Sequence, residues 1–205
     1  MFEMFPTAFA TLFVMVDPIG LTPMFAALTA GMAARQRLFI AIRAVAVAAF
    51  LMVLFGLVGD WLLATLGISL PAFRIAGGLM LFLVAVEMLF QKRTERREAE
   101  AGKAAAEDDP SVFPLATPLI AGPGALAAML LLTAEASDMV GQVGVFAAVA
   151  TVLAMCLAAF VLTAPIERLL GDTGIRVLTR VFGMLLGALA VQFILDGLIA
   201  FWGAL

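Results

Sequence analysis

Chemistry in this chain concentrates where proline and glycine interrupt long apolar runs. One such stretch is Asp17-Pro18-Ile19-Gly20-Leu21-Thr22-Pro23; the other is Thr117-Pro118-Leu119-Ile120-Ala121-Gly122-Pro123-Gly124. Pro18 matches Pro118 and Pro23 matches Pro123 at one common offset, so a single pattern is used twice. Each proline removes a backbone donor and clashes with the preceding turn. Hydrocarbon offers no water to the carbonyls this frees, so such breaks survive where they line a cavity or pack on protein. The pattern predicts a binding site built from the two breaks, meeting near the midplane. Its candidate residues are Asp17, Pro18, Gly20, Thr22, Thr117, Gly122 and Gly124, with Gln192 as a further buried-amide candidate.

Asp17 is the sharpest single residue. A carboxylate in mid-span is costly and by default functional. The free N–H groups of a half-helix starting at the Gly20-Leu21-Thr22 turn would also favour it. Cap and site both remain open for Asp17. The second break has Thr117 at the matching position, which leaves the N–H groups near Gly122 and Gly124 free for an external anion. Asp17, then Glu87, are the candidates for coupling to protons. Arg74 and Arg180 stand near helix starts; snorkelling to headgroups explains both. The alternative is a pair of gates, Arg74 with Asp196 and Arg180 with Glu87.

The elements that must position these residues are membrane helices. Of 205 residues, 64% are hydrophobic and 13% charged, and mean hydropathy is +1.15. A soluble domain has roughly 45–50% apolar and about 25% charged residues. An all-α polytopic membrane protein follows, a single transmembrane domain over 1–205. A spanning helix needs about 20 apolar residues, which predicts six spans near 7–28, 39–58, 70–90, 113–133, 143–163 and 175–202. Three spans fall in each half, 1–90 and 113–205, around a polar linker at 91–112 on the cytoplasmic side. An odd number per half requires inverted repeats, with the first and fourth helices broken. Arg74-Ile75-Ala76-Gly77 and Arg180-Val181-Phe182-Gly183 supply a second match between halves.

On that count, Arg74 alone of the 12 Lys and Arg lies apart from the rest. The positive-inside rule then puts both termini outside the cytoplasm, with Trp61 and Trp202 in the outer aromatic belt. The first 34 residues contain no Lys or Arg to open a signal peptide. Gly77-Gly78 and Gly183 with Gly187 read as small faces for close helix packing. Lone Cys156 excludes an intramolecular disulfide, and Glu107-Asp108-Asp109 reads as a solvated loop rather than a metal site. Without His or Tyr, and with one Cys, most enzyme chemistries lack their groups. No enzyme activity, metal, cofactor or nucleic acid is expected; oligomeric state stays open. A scaffold or regulator, and an exporter of another small metabolite or drug, remain alternatives to a carrier.

At these motifs the sequence resembles the MarC family of six-span membrane proteins. The matching pieces are Phe13-Val14-Met15-Val16-Asp17-Pro18-Ile19-Gly20 with Pro23, Phe73 to Gly78, Pro118 to Gly124, and Gly183 running to Phe193. The chain departs from the family pattern at Leu21, where Asn is frequent, and at Ala125, where Ser or Thr is. The resemblance implies a multi-pass protein of a bacterial or archaeal cell membrane (the inner membrane, where there are two). It also implies transport of small neutral amino acids of the glycine and alanine kind, with proton coupling.

Overall fold

The structure is a computed structural model that describes residues 4–92, 109–136 and 138–203, and Asp60 by its backbone alone. Most of the expected linker, including Arg93, Arg96, Arg97, Lys103, Glu107 and Asp108, lies outside the described residues. Within them all regular structure is helical: α1 (Met4–Val16), α2 (Thr22–Leu28), α3 (Ala34–Thr65), α4 (Leu70–Leu89), α5 (Ser111–Ile120), α6 (Pro123–Glu135), α7 (Met139–Val161) and α8 (Thr163–Trp202).

Four of these helices, α3, α4, α7 and α8, are long and apolar enough to cross a membrane. The α5–α6 pair, bent by 55°, makes a fifth candidate. The first span is broken as expected, into two short helices of 13 and 7 residues. At 1.5 Å per residue, α1 reaches about 20 Å, short of a hydrocarbon core of about 30 Å. Other boundaries move for local reasons. Pro165, just past the expected end of the fifth span, sits in the first turn of α8, where its missing N–H does no harm. The non-helical residue inside α8 is Gly171, at φ 59. Helix α3 begins earlier than expected and carries Arg35 and Arg37 in its first turn.

Helix α6 is the centre. Gly124, Ala125 and every residue from Ala127 to Thr133 are buried. A helix apolar all round has no face for solvent and belongs inside. It packs on α1, α3, α4 and α7. Helix α3 turns a small stripe inward, Ala41, Ala44, Ala48 and Met52 at helical spacing. Its opposite face shows Phe39, Phe50 and Leu57, each more than 60% exposed, as a lipid-facing surface would.

Helices α4 and α8 share the most extensive contact, antiparallel, and glycine makes it possible. A Cβ on Gly78 would lie 2.8 Å from the Ala190 carbonyl oxygen, and one on Gly197 3.0 Å from that of Pro71. At Gly183 it would lie 2.9 Å from the Met88 Cβ. Close backbone approach of this kind drives helix association where lipid is as apolar as leucine.

The entry to α5 is tied to α3 by an ion pair between Arg43 and Asp109. Ser111, whose N–H donates to Asp109 Oδ1 at 3.0 Å, holds this carboxyl below its usual range, with Arg43 adding to the effect.

Two outcomes are expected. Gly183→Leu should destabilise by about 1–3 kcal/mol through overpacking, read as a lower thermal midpoint in detergent, while Phe50→Leu on the lipid face leaves it unchanged. Because Asp109 has its folded pKa depressed, its contribution is fully present above the unfolded value and is lost as pH falls through the folded one. The tether should therefore survive acidification from pH 7 to about 5 and fail only below about pH 4. Comparing pH–stability profiles of wild type and Asp109→Asn checks this.

Candidate functional site

Helix α1 ends at Val16, and the chain turns through Asp17 to Leu21 before α2. Asp17 takes a left-handed backbone (φ 56) and is 0% exposed. Its N–H still completes the helix by donating to Phe13 O (2.9 Å), and its carbonyl accepts from Leu21 (3.1 Å). The carboxylate folds back over the turn, where Oδ1 accepts the Gly20 N–H at 3.1 Å. A Cβ on Gly20 would lie 2.0 Å from Oδ2, so only glycine leaves the carboxylate its place. From across the molecule the Thr179 hydroxyl on α8 donates to Oδ2 at 3.4 Å. Pro18 is buried, and Thr22 spends its hydroxyl on Ile19 O (2.7 Å).

The second break is built differently. Helix α5 is wound widely, as in the bond from Leu115 N–H to Pro110 O, and Phe113 and Thr117 are extended within it. Half-buried Thr117 donates to Val112 O at 3.4 Å. The chain then turns at Ala121 and Gly122 into α6. A Cβ on Gly122 would meet the Pro118 carbonyl oxygen at 2.5 Å. No side chain caps α6. Its first intrahelical bond runs from Leu126 to Gly122 O, so the N–H groups of Gly124 and Ala125 lie in the unpaired first turn.

The two breaks are in contact. A Cβ on Gly124 would lie 2.9 Å from the Met15 Cε, two residues before Asp17. The negative end of α1 and the positive end of α6 therefore meet. One turn earlier on α1, buried Thr11 has a hydroxyl with no partner among the described residues. Thr11 and Thr179 were absent from the sequence reading, and Met15 entered it only as part of a motif. A lone threonine in an apolar run gives no signal of what it faces, and nothing local ties position 179 to position 17.

The remaining candidates lie elsewhere. Arg74 was expected opposite Asp196, but its ion pair is with Glu135 at the end of α6 (3.0 Å), both side chains being at most 20% exposed. Asp196 lies close enough to act electrostatically on Glu135 and accepts a hydrogen bond from Gln192 (2.8 Å). Glutamate outcompetes aspartate here because α6 delivers it directly to the start of α4. Gln192 is exposed and sits 13 residues beyond Thr179, about 20 Å along α8. It belongs with the Arg74 cluster rather than with the breaks. Glu87 is half-buried on α4, and Arg180 is exposed on α8. Among the described residues no three His, Cys, Asp or Glu side chains group as a metal site.

A family model described as "MarC family integral membrane protein" matches residues 2–202. Similar curated proteins include a UPF0056 membrane protein of Methanocaldococcus jannaschii, 36% identical over 199 residues and covering 96% of each chain. A UPF0056 membrane protein of Archaeoglobus fulgidus is 36% identical over 195 residues, 95% of this chain and 92% of its own. The UPF0056 membrane protein YhcE of Escherichia coli is 33% identical over 192 residues, 93% and 89% respectively. No solved structure matches.

The geometry orders two substitutions. Gly20→Ala must displace the Asp17 carboxylate and should destabilise by about 1–3 kcal/mol. Thr179→Val removes one hydrogen bond and should lower stability by about 1 kcal/mol. Thermal unfolding of both variants in one detergent checks the order.

Proposed function

The chain belongs to the MarC family of integral membrane proteins, found in bacteria and archaea, and on that premise we propose that it is a secondary transporter of small neutral amino acids. The observation that carries this reading is the contact between the two interrupted segments, with a buried carboxylate in one and an uncapped helix start in the other. A zwitterionic amino acid needs both signs within a few ångströms. The N–H groups of Gly124 and Ala125, at the positive end of α6, suit its carboxylate. Asp17 and the carbonyls at the end of α1 suit its ammonium. The crowded surroundings of Gly124, against Met15 and Val84, fit a short side chain such as that of glycine or alanine.

The transmembrane arrangement proposed is six crossings in two inverted three-helix repeats, α1 with α2 and α5 with α6 being the broken ones. Both termini are then extracytoplasmic, and the basic residues around Arg35, Arg43 and Arg176 are cytoplasmic. Asp17 is the proton-coupling group, with Glu87 second. The Arg74–Glu135 pair, joined by Asp196 and Gln192, is the outer gate. Alternating access rocks one half against the other about the breaks. The reading is of a carrier rather than an enzyme; among the described residues no three His, Cys, Asp or Glu side chains group as a metal site beside the breaks.

The test is uptake of labelled glycine and alanine into proteoliposomes under an imposed pH gradient. Wild type should transport, and Asp17→Asn should lose most of the pH-driven component. Arg74→Ala should keep binding, read by ligand-dependent thermal stabilisation, while altering flux. Absence of uptake and of stabilisation with every small amino acid would overturn the substrate assignment. Unchanged pH-driven uptake in Asp17→Asn would remove that residue as the proton site.

A further inference from the structure

Away from the breaks, a groove of about 290 Å³ opens between α2, the start of α3 and the α7–α8 junction. Its floor is aromatic: Phe25 and Phe160 stack with centroids 4.5 Å apart and planes 10° from parallel. Both rings are 1% exposed. Its rim is aliphatic and open, with Leu38 at 45% and Val161 at 58% exposure. A single charged side chain lines it, Arg37, whose guanidinium carbon stands 5.6 Å from the Phe25 centroid.

That charge is unbalanced. Among the described residues no carboxylate pairs with Arg37, and no carboxylate lines the groove. The first turn of α3 contains no acidic residue, and its cap, Ala33, offers no side-chain oxygen. Arginine at the positive end of a helix compounds the field rather than relieving it. The groove thus combines an excess of positive charge at one end with hydrocarbon-like walls that open outward. A soluble anion would match the charge and waste the walls. An amphiphile with an anionic head matches both, and basic pockets between membrane helices hold such headgroups.

We propose that this groove is a binding site for one anionic phospholipid, its phosphate against Arg37 and one acyl chain lying between Leu38 and Val161 over the Phe25–Phe160 stack. The lipid would brace α2, the short half of the first broken helix, against the α7–α8 junction. This site is independent of the transport reading, since it needs neither Asp17 nor an amino acid.

Native mass spectrometry of the full chain, purified in mild detergent, tests it. Phosphatidylglycerol, phosphatidylcholine and inorganic phosphate serve as the added probes. Wild type should retain one phosphatidylglycerol in preference to phosphatidylcholine. Arg37→Gln should cut that retention about fivefold, the worth of one basic residue near an anionic lipid, and leave phosphatidylcholine unaffected. Ala34→Trp, which fills the groove and keeps Arg37, should cut it too, and decides the matter if Arg37→Gln does not fold. Arg176→Gln, an exposed arginine outside the groove, should retain lipid as wild type does. Any of four results would overturn the proposal: no phosphatidylglycerol on wild type, equal retention of both lipids, an equal loss in Arg176→Gln, or displacement by inorganic phosphate.

Discussion

Backbone polar groups without water govern this architecture. Every carbonyl that Pro18, Pro114, Pro118 or Pro123 leaves without a donor must find protein, because lipid has nothing to offer. The chain solves this by putting its irregular pieces inside and its regular ones outside. Helices α3, α4 and α8, long and continuous over their apolar stretches, bury under a third of those stretches. The interrupted pieces are enclosed: Asp17 and Pro18, Leu115 and Ala116, and nearly all of α6 are buried. In these three helices continuity and exposure go together, whereas continuous α7 has half of its apolar stretch buried.

Asp17 shows how the constraint becomes local chemistry. A turn that ends one helix and starts another leaves N–H groups pointing at its own interior. The carboxylate fills that space, and Gly20 stays bare to admit it. This makes Asp17 a structural part of the turn; its second oxygen meets Thr179 across the fold. Cap and site were both open for a carboxylate at this spacing and could coexist; the structure shows the cap, with one oxygen serving the turn and the other meeting Thr179 on α8. At the second break Thr117 cannot play that part. Its hydroxyl turns back to Val112 O, and α6 starts uncapped.

What the sequence made legible follows from range. The break positions depend on Pro and Gly within a few residues, and they were readable: α1 does end at Val16, and α6 does begin at Pro123. Helical class and membrane character come from composition summed over the chain, and they too were readable. The Gly78 and Gly183 contacts were legible as a type, small residues in apolar helices, though not as a pairing of α4 with α8, and Gly197 was not singled out. Span number was harder, because apolar length counts residues and does not say whether two short helices divided at Asp17 to Leu21 cross a membrane together. Partners distant in sequence were not legible at all. Arg74 could face Asp196 or Glu135 on the same end of the molecule, and only the three-dimensional path of α6 selects Glu135.

That path gives α6 a further consequence. It starts against Met15, at the break that holds Asp17, and ends at the ion pair with Arg74. Helix α8 makes a parallel connection, from Thr179 at the Asp17 carboxylate to Asp196 beside Glu135, 17 residues or about 25 Å further along. Two rods thus join the same two polar clusters, one rod buried in the centre and one on the flank. Helix α4, locked to α8 through its glycines, contributes Arg74 to the far cluster. A shift of α6 along its axis therefore strains the ion pair at one end while it moves the uncapped N–H groups at the other. Packed interiors have low compressibility and transmit strain, so buried α6 holds its uncapped first turn and Glu135 at a fixed separation. The helix that presents the uncapped N–H groups thus also carries one member of the ion pair.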